Sequence, residues 1–183
     1  MRYTYTQMSR FGIREAKVED AAGIARAHTA SWRESYRGIL PDSILDRIDV
    51  GQRVTTRRRI LHDRSVFQLV AYDLTHGDIV GFCDAGPSRR HVPFAGRRRD
   101  VGELYAIYLV QYAKRHGLGQ ELFDRISIWL RANGMGSLIV WVLENNAHAR
   151  GFYEAMGGRQ QLRLQTSVGG FPVIELGYIW DQL

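Results

Sequence analysis

The stretch YLVQYAKRHGLGQELF, from Tyr108 to Phe123, decides how this chain is read. It opens on an apolar run that begins at Gly102 and passes through a short basic segment to Gly117-Leu118-Gly119. Leu118, Leu122, Ile126, Trp129 and Leu130 then recur at helical spacing. A strand, a glycine turn and a helix in immediate succession suit a phosphate. The glycines let the backbone bend tightly and approach a ligand, and the helix aims unpaired N–H groups and the positive end of its dipole at the same point. Lys114, Arg115 and His116 add positive or protonatable side chains beside it.

Downstream, the helix is expected over Gly117 to Asn133 and a strand over Ser137 to Leu143. The short connections make this a strand-helix-strand unit with parallel strands. A last helix covers Asn146 to Met156, with Asn146 as N-cap and Gly157 as stop. Strands near Arg159 to Thr166 and Val173 to Trp180 flank Gly169-Gly170 as a closing hairpin. Upstream, Phe11 to Lys17 alternates as a first strand, and Glu19-Asp20 place acid at the start of an alanine-rich helix reaching about Trp32. A turn from Tyr36 to Asp42 leads to a helix starting at Pro41, and another spans Gln52 to His62. Val66 to Tyr72 and Ile79 to Ala85 pair as an antiparallel hairpin through Thr75-His76-Gly77-Asp78. Ser88 to Asp100 is basic, carries Pro93 and Gly96, and reads as a mobile surface loop.

A length of 183 residues with 45% hydrophobic content suits one domain, 1–183, with residues 1–10 as an N-terminal extension. The formal charge is +6, and arginines cluster at Arg57-Arg58-Arg59, Arg89-Arg90 and Arg97-Arg98-Arg99, which would draw a polyanion such as nucleic acid or a phosphorylated cofactor. Cys83 is the single cysteine, so there is no intramolecular disulfide and no thiolate zinc site, and the six histidines show no close ligand spacing. No metal is expected. A reducing, cytoplasmic compartment is the simplest reading, without a removable signal or any stretch near the roughly 20 apolar residues of a membrane span.

Gly-x-Gly before a helix first suggests dinucleotide binding. Leu122 stands where that fingerprint needs its third glycine. Glu144 could mimic the ribose-binding acid, yet too little chain remains for a second mononucleotide half. The ATP-type loop fails because no Gly-Lys-Ser/Thr follows at the required spacing. On the local motif alone, a glycine turn that binds nothing stays open.

The wider pattern decides. KRHGLG, Lys114 to Gly119, and ENNAHARGFYEAMGGR, Glu144 to Arg159, occur together at the expected separation. They are joined by IREAKVEDAAGIARAH, SWRESYRGILPDSIL and VGFCDAGPSR, and with the order of elements they make the chain resemble the GNAT family of N-acetyltransferases along nearly its whole length. That family's loop has the form Gln/Arg-x-x-Gly-x-Gly/Ala, with Lys114 here in first place. Gly158 departs from the Phe that relatives often carry, a difference expected to matter for packing.

The resemblance implies an α/β (α+β) acyl-CoA N-acyltransferase fold, with a mixed, mostly antiparallel central sheet flanked by helices. It implies acetyl-CoA as co-substrate, its pyrophosphate on the backbone N–H groups of Arg115, His116, Gly117, Leu118, Gly119 and Gln120. The pantetheine arm would lie along Ile107, Tyr108 and Leu109, mostly against backbone, and Asn146 would add a polar contact or simply cap its helix. Tyr153 matches the tyrosine that protonates the leaving sulfur, and a phenol of pKa about 10 is a plausible donor to a thiolate; it could equally be a buried aromatic. Glu103 is the candidate base, with pairing to Arg98 or Arg99 as the alternative. Some relatives carry a base on the next strand, where this chain has Trp141. A backbone N–H near Leu109 would polarise the carbonyl.

Trp32 and Tyr36 fall where the family lines its acceptor pocket, though either could be core, and the Ser88 to Asp100 loop could cover that pocket. The acceptor is a small-molecule or peptide amine whose identity stays open; a homodimer is compatible. Cys83 has no evident base and is a poor nucleophile, so transfer is expected to be direct. Two alternatives remain: a non-catalytic acyl-CoA sensor on the same fold, and a basic nucleic-acid binder, which lacks the aromatic-basic interleaving of single-strand platforms.

Overall fold

A computed structural model describes residues 10–90 and 100–183. Seven strands form one sheet. They are β1 (Phe11–Glu15), β2 (Phe67–Asp73), β3 (Ile79–Pro87), β4 (Val101–Leu109), β5 (Ser137–Leu143), β6 (Arg159–Val168) and β7 (Phe171–Trp180). The helices are α1 (Ala21–Tyr36), α2 (Asp42–Asp46), α3 (Val50–Leu61), α4 (Leu118–Ala132) and α5 (Ala147–Ala155). The spatial order is β1-β2-β3-β4-β5-β7-β6, and only β4 and β5 run parallel. This is the mixed, mostly antiparallel sheet anticipated above.

Alternation along the strands divides the core. Val70 and Phe82 turn to one face and pack with Ile24 of α1, while Phe67 turns to the other and stacks on Trp129 of α4 at 4.9 Å. On β4 this alternation is broken. Asp84 lies opposite Ala106 and Ala85 opposite Leu104, so Tyr105 is an extra residue, a β-bulge. Before the bulge, Gly102 faces Leu130 of α4, and a Cβ there would lie 2.8 Å from it. After it, Ala106 and Tyr108 join the cluster around Ile24.

The bulge coincides with a divergence. β4 pairs with β3 almost throughout, Gly102 to Leu109, whereas its pairing with β5 covers only Val101 to Leu104 against Ser137 to Val140. Beyond Leu104 the two central strands part.

Several boundaries differ from expectation. Helix α1 runs one turn beyond Trp32, because Tyr36 is buried at 9% exposure and the backbone becomes extended only at Arg37. Helix α3 starts at Val50 rather than Gln52, since the Asp49 carboxylate accepts the Gln52 N–H at 2.8 Å as an N-cap. Pro41 precedes α2 instead of opening it. A 3₁₀ turn, Gln111–Ala113, follows β4 and leads into the basic segment Lys114 to His116. Most of the Ser88 to Asp100 loop, including Arg98 and Arg99, lies outside the described residues, as do residues 1–9 of the expected N-terminal extension. Among the described residues, no helix is long and apolar enough to cross a membrane and no group of His, Cys, Asp and Glu is placed to hold a metal.

Candidate active site

The gap between β4 and β5 opens into a cavity of about 660 Å³. Ile107 and Leu109 line it from β4, Val140 and Val142 from β5, and α5 closes it with Asn146 at its start and Tyr153 inside. At one end it meets the start of α4.

That start has an unusual backbone. Gly117 has φ +80° and Arg115, not a glycine, has φ +66°. Left-handed residues beside a helix N-terminus turn successive N–H groups inward as an anion-binding nest. The first intrahelical bond here runs from the Glu121 N–H to the Gly117 carbonyl at 3.0 Å, so the N–H groups before Glu121 have no acceptor within the helix. Gly119 lies against α5, where a Cβ would stand 3.3 Å from Phe152.

The expected loop residues divide into two sets. Lys114, Arg115, Gly117, Gly119 and Gln120 line the cavity. Leu118 is 3% exposed in the core, and His116 packs edge-on to Phe11 at 5.2 Å, so both turn their side chains away and offer only backbone. Lys114 Nζ donates to Gln111 Oε1 at 3.1 Å and lies 4.0 Å from Glu34.

Asn146 uses its Oδ1 to accept the Ala149 N–H at 3.1 Å. Its side-chain amide also lies against the Tyr36 hydroxyl on the cavity wall. Tyr153 is buried, 5.4 Å from Phe152 and 6.3 Å from Trp180. Burial, reinforced by Tyr108 and Cys83, pushes its phenol well above the usual range. It therefore holds its proton at any working pH. Cys83 is fully buried and its thiol is likewise pushed up by burial and by Asp84, which leaves no nucleophilic thiolate.

Glu103 lies outside the cavity lining. Its Oε2 accepts the Arg89 N–H at 2.8 Å, and its Oε1 pairs with the Arg89 guanidinium at 3.0 Å. Arg89 in turn stacks on Tyr105, its guanidinium carbon 3.8 Å from the ring centroid. A similar unit follows on the next strands: Arg90 lies 4.9 Å over Trp141 and pairs with Glu175 at 2.8 Å. Tyr105 and Trp141 both line the cavity. Neither arrangement has a sequence signature, because its partners come from separate strands.

Tyr36 lines the cavity, and its hydroxyl lies 3.1 Å from that of Tyr108. Tyr108 thus presents its backbone to the gap and its ring to α1. Trp32 sits one layer back, edge-on to Tyr36 at 5.0 Å, outside the cavity lining. Arg53, which composition did not single out, covers the Trp32 ring at 4.8 Å.

Comparison with known proteins agrees with this architecture. Residues 25–158 match the acetyltransferase (GNAT) family. The chain is similar to an uncharacterised N-acetyltransferase, YuaI, of Bacillus subtilis, 32% identical over 93% of each chain. Its fold is similar to that of the PaiA N-acetyltransferase of Thermoplasma acidophilum in complex with coenzyme A, with TM-score 0.68, 16% identity and coverage of 90% of this chain and 97% of the other. It is also similar to YncA of Salmonella typhimurium, a putative acetyltransferase solved with acetyl-CoA, with TM-score 0.68, 19% identity and coverage of 96% and 95%. The chain belongs to the GNAT family.

Proposed function

We propose that this protein transfers an acetyl group from acetyl-CoA directly to a primary amine on a small molecule or peptide. The observation that carries the reading is the parting of β4 and β5 beyond Leu104 and Val140, continuous with the left-handed turn at the start of α4. The exposed edge of β4 offers backbone donors and acceptors that the amides of a pantetheine arm can pair with, as an added strand would. The N–H groups of Arg115 to Gln120 suit a pyrophosphate at the mouth.

In this reading a backbone N–H near Leu109 polarises the thioester carbonyl. The amine nitrogen bonds to the carbonyl carbon, the carbon–sulfur bond breaks, and the sulfur leaves with the electron pair towards the Tyr153 hydroxyl. With its pKa raised by burial, that hydroxyl stabilises the departing thiolate as a hydrogen-bond donor and keeps its own proton, and the thiolate is protonated from solvent on release. Glu103 takes the amine proton. Because it stands outside the cavity, a relay must connect them.

Calorimetric titration with acetyl-CoA, CoA, NADH and a short DNA duplex at moderate salt tests the reading. Saturable acetyl-CoA binding, with none of NADH or DNA, is expected. NADH or DNA binding without CoA binding would reject it.

A further inference from the structure

The acceptor itself can be narrowed, because one charge near the cavity lacks a counter-charge. Arg53, on the first turns of α3, is half-buried against Trp32. Among the described residues it makes no ion pair, and its Nη1 is buried without a hydrogen-bond partner. Residues 1–9 and 91–99 contain no Asp or Glu, so the chain has no further side-chain carboxylate to offer. The Nε1 of Trp32 is also buried without a full hydrogen-bond partner, although it lies close enough to the Tyr108 hydroxyl to favour its ionised form.

Neighbouring charges make the contrast plain. Arg57 is matched by Asp84 at 2.5 Å, Glu103 by Arg89 and Glu175 by Arg90. Arg33 reaches the Leu45 carbonyl at 3.5 Å. No such partner meets Arg53, which burial and the adjacent Arg33 and Arg57 push below the usual arginine range. Holding a guanidinium partly out of water beside two other cations is unfavourable unless an anion joins it. The place is also close to the chemistry. Trp32 touches both Arg53 and Tyr36, Arg53 lies within electrostatic reach of Tyr108, and Tyr36 and Tyr108, joined at their hydroxyls, form part of the cavity wall.

We propose that Arg53, with the Trp32 indole N–H beside it, receives an oxyanion carried by the acceptor, so that the substrates are amines bearing a carboxylate or a phosphonate-type group. This rests on the acetyltransferase reading above and deepens it. A planar guanidinium and an indole N–H supply donors directed at oxygen, and a stacked guanidinium is already held in place for bidentate recognition.

The test compares matched acceptors in steady-state acetylation: L-leucine against L-leucinamide, and 2-aminoethylphosphonate against ethanolamine. In the native protein kcat/KM should favour the acid of at least one pair by about tenfold, and whichever pair shows it identifies the oxyanion. In Arg53→Met the preference should fall to within about threefold of unity, and Arg53→Lys should restore part of it. Acetyl-CoA is titrated into each variant alongside. A ratio near one in the native protein, or a preference that survives Arg53→Met, overturns the proposal while leaving the transferase reading intact. If no acceptor of the panel turns over, inorganic phosphate is titrated into the acetyl-CoA-saturated protein: a rise in Tm confined to proteins with Arg53 supports the proposal, and an equal rise in Arg53→Met overturns it. Failure of the native protein to bind acetyl-CoA removes both readings together.

Discussion

Arg89 holds Glu103 through two separate groups, its backbone N–H at 2.8 Å from Oε2 and its guanidinium at 3.0 Å from Oε1. The segment just after β3 is thereby fixed to the strand that borders the cavity. If Glu103 is the proton acceptor, Glu103→Gln should lower kcat at neutral pH by about a hundredfold, less at high pH where more of the amine is already deprotonated, with acetyl-CoA affinity unchanged. The pH–rate profile decides. A profile of unchanged shape, together with a lowered Tm, would make Glu103 a clamp for the loop and leave deprotonation to water.

Tyr153→Phe separates chemistry from packing. The ring keeps its contacts with Phe152 and Trp180, and only the hydroxyl is lost. We expect kcat to fall about a hundredfold with the acetyl-CoA Kd within about twofold of native. Because the phenol is held neutral by burial, it should add no limb to the pH–rate profile below pH 10. Matching losses in turnover and affinity would give Tyr153 a structural role, and a non-catalytic acyl-CoA sensor would show no turnover to lose.

The two glycines of the loop should respond differently. Gly117 is left-handed, with nothing within 4 Å of an added Cβ, so Gly117→Ala should cost about 1–2 kcal/mol of stability through backbone conformation alone. Gly119 has an ordinary helical backbone, but its Cβ would stand 3.3 Å from Phe152 at the cavity mouth. Gly119→Val should therefore weaken acetyl-CoA binding more than tenfold in a folded protein, by roughly 1.4 kcal/mol or more. Calorimetry with paired thermal melts checks both, and native affinity in Gly119→Val would reject the phosphate site.

Gly158 has a packing explanation. A Cβ there would lie 2.5 Å from Cζ2 of Trp180 and 3.0 Å from the Tyr153 carbonyl. Trp180 cannot easily withdraw, since its Nε1 donates to the Met156 carbonyl at 2.8 Å and its ring packs on Phe123. The indole of β7 occupies the space that a side chain at 158 would fill. Gly158→Ala should destabilise by about 1–3 kcal/mol. Combined with Trp180→Phe, which removes the obstructing ring, the losses should be less than additive in denaturant melts; full additivity would place the strain elsewhere.

The site was legible where local chemistry and periodicity coincide. Gly117, Gly119 and the apolar face of α4 announce a glycine turn and helix start within a dozen residues, and Asn146 announces the cap of α5. What stayed hidden depends on register between distant segments. The bulge at Tyr105 reverses which residues of β4 face α1, and no local pattern marks it. Arg89 rather than Arg98 or Arg99 meets Glu103 because β3 pairs antiparallel with β4 and brings Gly86 opposite Glu103. Arg53 drew no notice because one arginine on a basic helix looks like solvated surface until its neighbours and their partners are known.

His28 links the same cluster to acid stability. Its ring lies 5.0 Å from Phe82 and 4.9 Å from Tyr108, and burial, then the charges of Arg53 and Arg57, push its pKa down to about 3. The unfolded chain binds that proton near pH 6.5, whereas the folded one does not until about pH 3. The neutral imidazole therefore costs no stability above about pH 6.5, and stability is lost as pH falls from there towards 3, at about 1.4 kcal/mol per pH unit from this group. His28→Gln should give a flatter curve of unfolding free energy against pH between about 6.5 and 4, by the equivalent of about one proton, even if the variant is less stable at neutrality. Parallel curves would exclude His28 as the source. Since Arg53 supplies part of the shift, an anion bound there should raise the folded-state pKa of His28, so inorganic phosphate should flatten the native curve and leave that of Arg53→Met unchanged.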